Sequence, residues 1–167
     1  MDINVKLKYT NTIMNAWLYG VENTANIFFD KPKLFYRRWG TIAIRPFIES
    51  WKDLGMEFQK GLSPYNTAKM FIEALVKSNF MNEEDFDMSG DDNNFTFKAI
   101  NCPYKSHCSR LIDEGKEIAC LRSITFLGAM EFNKEGESLK YMYKFEFNKE
   151  TPCLVSFEKF KDINIKV

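Results

Sequence analysis

The sequence has no excess of charge of either sign. Its 23 basic and 23 acidic residues are interspersed along 167 positions, and no basic stripe is long enough to neutralise a row of phosphates, which argues against a dedicated nucleic-acid binder. The short cluster YRRWG at Tyr36–Gly40 reads as the polar face of a helix. No apolar run approaches the roughly 20 residues that span a bilayer, and MDINVKLKY at the start lacks a hydrophobic signal core. The expectation is a cytoplasmic protein that does not engage a membrane. Gly-x-Gly-x-x-Gly is missing, so the usual cradle for a nicotinamide or flavin cofactor is missing too. There is one histidine, His107, and no C-x2-C pair of the kind that marks a zinc ribbon. Repeats, linkers and low-complexity segments are also absent.

What the sequence does have is concentrated in Asn101–Cys120, NCPYKSHCSRLIDEGKEIAC. This stretch holds three of the four cysteines and the lone histidine. With Cys153 the spacing is C-x5-C-x11-C-x32-C, so Cys102, Cys108, Cys120 and Cys153 can share a metal only if folding brings them together. Cys102 precedes Pro103, and proline favours the first position of a helix. That places the Cys102 sulfur beside a helix N-terminus, where exposed N–H groups favour the thiolate. In a reducing cytosol an even cysteine count does not imply disulfides. Two readings remain open: a thiolate metal site, with His107 as an alternative ligand, or four small buried hydrophobes.

Composition adds 16 Phe, seven Tyr, three Trp and eight Met within a 45% hydrophobic chain. This is enough for one sizeable core and reads as a single domain over 1–167, mainly helical to residue 80 and mainly sheet with cysteine-bearing helices after it. Aromatics of this number can build a core or line a pocket for an apolar or planar ligand. Trp17, Phe35, Trp39, Phe71 and Phe126 are the candidate pocket positions.

The periodicity predicts a short strand or frayed end over 2–9, then a helix from Thr10 or Asn11 to Phe29 with Ile13, Trp17, Val21 and Phe28 on one stripe. A second helix is expected from Lys33 to about Asp53, burying Leu34, Phe35, Trp39, Ile42, Phe47 and Trp51. A third begins at Ser63-Pro64 and runs to about Asn79, capped by the serine. Phe86/Met88 and Phe95/Phe97/Ala99 alternate around the turn-rich SGDDNN, a hairpin pattern. Asp91 and Asp92 lack the ligand ladder of a calcium loop and read as turn residues. A short helix from Pro103 to Ile112 is broken at Asp113–Gly115, and another is expected over Lys116–Phe132 with Cys120 one turn inside. Strands over Glu137–Asn148 and Pro152–Phe160 close the chain. The fold class is α+β: N-terminal helices packed on one face of a roughly four-stranded antiparallel sheet, with a helix pair inserted between the two hairpins.

GKEIAC at Gly115–Cys120, read as a helix carrying a cysteine after a glycine turn, Gly128 on that same helix, and ETPCLVSF at Glu150–Phe157 resemble the 4-vinyl reductase family. NCPY at Asn101–Tyr104 is similar to the related aminothiazoline-carboxylate hydrolase-like proteins. The resemblance covers roughly residues 60–160. It implies the fold of the haem nitric-oxide-binding domains and transport-particle (TRAPP) subunits, with a pocket between helices and sheet for an apolar or planar molecule, a homodimer, and zinc on cysteines. Cys120 and Cys153 match the family's positions. Lys140-Tyr-Met-Tyr143 stands where the family has Glu-x-x-Cys, so Cys102 and Cys108 would have to supply the missing ligands.

The function expected from all this is a small-molecule-binding or sensory domain with a structural cysteine metal site. Zinc is the expected ion, and an iron–sulfur cluster is a variant that four cysteines also allow. The alternative is an enzyme, either a reductase acting on a vinyl-substituted tetrapyrrole or a hydrolase using Cys102 as nucleophile. For the hydrolase, no oriented third group beside His107 can be named.

Overall fold

The structure is a computed structural model that describes residues 3–150 and 152–160. The chain forms α1 (Ile3–Phe28), α2 (Pro32–Glu49) with a 3-10 turn at Ser50–Leu54, α3 (Pro64–Lys77), β1 (Phe86–Gly90), β2 (Asn94–Ala99), α4 (Lys105–Asp113), α5 (Leu121–Asn133), β3 (Tyr141–Glu146) and β4 (Cys153–Lys159). The four strands make one antiparallel sheet in the order β1-β2-β4-β3. Both hairpins and the inserted helix pair occur in the expected order, with β3 starting at Tyr141 after a 3-10 turn at Ser138–Lys140. No helix among the described residues is long and apolar enough to cross a membrane.

Local chemistry explains several boundaries. The Ser63 hydroxyl accepts the Asn66 N–H, with Pro64 in the first turn of α3. Asp92 Oδ1, from the β1–β2 turn, accepts the Tyr65 N–H at 2.9 Å and ties the hairpin to the same helix end. Asp91 Oδ1 accepts the N–H groups of Asn93 and Asn94 at 2.8 and 3.0 Å, so this aspartate serves the turn. Gly115, at φ 71°, follows α4 in the left-handed region that glycine tolerates.

The core lies between the sheet and α2, α3 and α5. Phe126 of α5 meets Phe97 edge-on at 5.1 Å and Phe71 at 5.9 Å, while Phe95 stacks on Phe157 at 4.5 Å. Trp51, Leu127, Met130, Tyr141 and Val155 complete it. α2 crosses α5 at backbone contact. A Cβ on Gly40 would stand 2.9 Å from Ile124 Cβ, and one on Gly128 would stand 2.8 Å from Ile44 Cγ2 and 2.9 Å from the Gly40 carbonyl oxygen. Gly128 is therefore a packing glycine, permitting two helices to approach more closely than any side chain allows.

Four expectations are corrected. Residues from Ile3 onward continue α1, so the strand expected over 2–9 does not form; Asp2 lies outside the described residues. Lengthening an existing helix requires no new nucleus, whereas a lone strand there has no partner. The apolar stripe of α1 faces outward: Ile13 and Phe28 are exposed and Trp17 is 73% exposed, while Leu18, Glu22 and Ala25 face inward. On α2 the buried line is Tyr36, Gly40, Ile44 and Ile48, with Leu34, Ile42 and Phe47 exposed, because the glycine allows the closest approach on that side. Residues 116–120 are not helical, and Cys120 is the N-cap residue of α5. Side chains of α1 hold that segment open: Asn26 exchanges bonds of 3.0 and 2.9 Å with the Glu117 N–H and carbonyl, and Glu22 Oε2 accepts the Ala119 N–H at 3.2 Å.

Candidate functional site

Sheet topology brings the cysteines together. Ala99 at the end of β2 pairs with Cys153 at the start of β4, so Cys102, three residues beyond Ala99, emerges at the same end of the sheet. Asn101 is tied down by Asp85 Oδ1, which accepts its amide at 2.7 Å. The Pro103 carbonyl accepts the Asn15 amide of α1 at 2.9 Å. α4 then supplies Cys108, and the cap of α5 supplies Cys120. All four cysteines line one cavity of about 10 Å³, with Arg122 and Tyr104 in its wall. That is room for about one water-sized sphere, so the hollow suits a single ion and excludes a planar molecule.

As they point here the thiols do not form a coordination shell, and no three His, Cys, Asp or Glu side chains among the described residues stand in a metal-holding group. Cys153 Sγ donates to the Asn148 carbonyl at 3.7 Å, and Cys108 Sγ lies 3.6 Å from His107 Nε2. Both are weak thiol contacts, cheaply given up by rotation of the side chain. Cys102 is half-buried and lies before the turn at Pro103–Tyr104, so the helix N-terminus expected directly after it starts later, at Lys105. The donor set itself is what a soft ion favours: four sulfurs and an ion-sized space.

Burial governs the titration of these groups when no ion is present. It pushes the Cys108 thiol far up and the Cys120 thiol up to about 11, despite the N–H groups at the start of α5. It also raises Tyr104 and Tyr141 to about 12. Each folded value lies above the ordinary one of about 8.5 for cysteine or about 10 for tyrosine. The neutral forms therefore stabilise the fold fully below about pH 8.5, and that contribution is lost as pH rises toward 11–12. Chelator-treated protein is expected to show a lower urea midpoint at pH 10 than at pH 7; an unchanged midpoint would contradict this burial.

Behind the cavity lies a polar cluster that the sequence did not suggest. Glu22 and His107 are both buried, with Glu22 Oε1 3.2 Å from His107 Nε2. Asn15 Oδ1 faces Nδ1 at 3.2 Å, and that amide's orientation is set by its Nδ2 donating to the carbonyls of Asn11 and Pro103. Both ring nitrogens thus lie within hydrogen-bond reach of side-chain oxygens of α1. His107 does not stand in the wall of the cysteine cavity, and its two ring contacts dock α4 on α1. The one available signal was a carboxylate, Glu22, in register with Leu18 and Ala25 on α1.

The hydrolase reading gains nothing from this geometry. Cys102 opens on a space too small for a substrate, and the imidazole is engaged elsewhere.

The five aromatic positions do not converge. Phe71 and Phe126 touch each other in the core, and Trp39 packs with Tyr36, Ala25, Ala119 and Ile124 beneath α1. Trp17 and Phe35 line an open surface hollow of about 490 Å³ floored by Ala16, Gly20, Val21 and Thr24.

Comparison with family models, curated proteins and solved structures returns no match.

Proposed function

We propose that this chain is a small-molecule-binding or sensory domain of the kind its resemblance to the 4-vinyl reductase family implies. On this reading it is held together by a structural metal ion on Cys102, Cys108, Cys120 and Cys153. The observation that carries the proposal is that four cysteines from separate parts of the chain line one ion-sized cavity. Zinc is the ion the donors suit best, since four thiolates fill its tetrahedral shell and leave no open position for a substrate water. Such an ion would lock α4 and α5 to the end of the sheet, and a compartment that keeps thiols reduced would favour it.

The hollow at Trp17 and Phe35 is the candidate place for an apolar or planar ligand. It lies on the exposed apolar stripe of α1, where a second copy of the chain would cover both the stripe and the ligand.

Native mass spectrometry combined with elemental analysis tests this reading. The expected result is one zinc per chain in a dimer, with chelation lowering the melting temperature by about 10 °C, as loss of a few kcal/mol does in a chain of this size. A visible absorption band would indicate the iron–sulfur variant. Less than a tenth of an equivalent of metal, with all four thiols freely titratable, would overturn the metal site, and a monomeric mass would overturn the dimer.

A further inference from the structure

We infer that Arg122 is the countercharge of the cysteine centre, placed so that its guanidinium edge donates to thiolate sulfur; this rests on the metal reading above. Arg122 is 3% exposed, and its Nε and Nη2 have no hydrogen-bond partner among the described residues. The face of the guanidinium is occupied, 4.7 Å above the Phe86 ring and 5.7 Å from that of Tyr104. These rings hold the group in place and leave its edge to donate.

The carboxylate in its field, Asp85, already accepts from the backbone and side chain of Asn82 and from Asn101, and makes no ion pair with it. A buried charge with open N–H groups is costly unless something negative completes it. The residue lines the cysteine cavity, so the completing charge must arise there. A cavity of about 10 Å³ has no room for a phosphate or a carboxylate ligand. The anion that fits is one the chain makes itself. Four thiolates around a divalent ion carry a net charge of about −2, and a guanidinium beside them neutralises part of it while supplying N–H···S bonds. Outer groups of this kind hold ligands in place and tune the ion's affinity.

The test uses the whole chain, zinc as the probe, and the variants R122M and R122Q. Zinc affinity measured by competition with a chelator is expected to fall tenfold or more in both variants, the usual scale for loss of an outer-shell partner. The metal-free R122M protein is expected to melt at the same temperature as metal-free wild type or higher, because an unpaired buried charge has been removed. This combination, weaker metal with an undamaged apoprotein, is what a merely structural arginine would not give.

Equal zinc affinity in wild type and R122Q would overturn the inference and leave the metal site standing. A metal-free R122M markedly less stable than metal-free wild type would also overturn it, assigning the arginine to packing alone. Should R122M fail to fold even with zinc, R122Q, which is shorter but keeps a polar N–H without the charge, supports or overturns the inference by the same two measurements. Wild-type protein that takes up no zinc would instead remove the metal site itself.

Discussion

Glu22→Ala is expected to destabilise the protein by about 3–5 kcal/mol, the range for breaking a buried ion pair from one side. The carboxylate does two jobs. One oxygen faces His107 Nε2 at 3.2 Å, and the other accepts the Ala119 N–H at 3.2 Å. Alanine would leave the His107 ring without its partner where its side chain is 1% exposed, and would orphan a buried backbone donor in the segment leading to Cys120. Glu22→Gln should cost less, because the amide oxygen still accepts. The double variant Glu22→Leu/His107→Leu should recover much of the loss by removing both buried polar partners together, leaving chiefly the cost of the Ala119 N–H. Urea unfolding of the three variants at pH 7 checks this, and a Glu22→Ala midpoint within error of wild type would mean the pair is not formed.

Gly128→Val is expected to prevent stable folding, and Gly128→Ala to cost about 1–3 kcal/mol, the range for forcing extra volume into a packed core. Alanine is the better helix former by about 1 kcal/mol, so a loss would have to come from the crossing. A Cβ there would meet Ile44 Cγ2 at 2.8 Å and the Gly40 carbonyl at 2.9 Å. The carbonyl belongs to helix backbone and cannot turn aside, so α2 and α5 must separate. Because α5 carries Phe126, Leu127 and Met130 against the sheet, separation opens the core. Thermal melts of the two variants measure the effect. Gly20→Ala serves as the control: nothing lies within 4 Å of a Cβ at that glycine, and the change should be neutral or slightly stabilising.

Much of the fold was legible wherever the controlling interaction is local. The hairpin was readable because Phe95, Phe97 and Ala99 alternate and SGDDNN supplies turn chemistry. The start of α3 was readable because Ser63 and Pro64 act within one turn. The site was only partly legible. Four cysteines invite a search for convergence, but C-x5-C-x11-C-x32-C does not state it, and it is the Ala99–Cys153 pairing that places Cys102 and Cys153 at one end of the sheet. Arg122 could not be singled out, since an arginine in a helix reads as surface until its burial is known. The pocket aromatics were scattered because aromatic residues at helical spacing fit core and surface equally well.

The amino-acid sequence alone determined the class of the protein, the order of its main elements, the cap of α3, the turn between β1 and β2, and the presence of four thiols. Those follow from interactions reaching a few residues along the chain. Only tertiary structure decided which faces of α1 and α2 turn inward. Ile13 and Trp17 are as apolar as any core residue, but α1 is oriented by Asn15, Glu22 and Asn26, which serve backbone and side-chain groups some 80 to 100 positions away. α2 is oriented by the one glycine that lets it reach α5. Burial follows the satisfaction of distant polar groups and the closeness of backbones, and neither is written in the periodicity of a single segment.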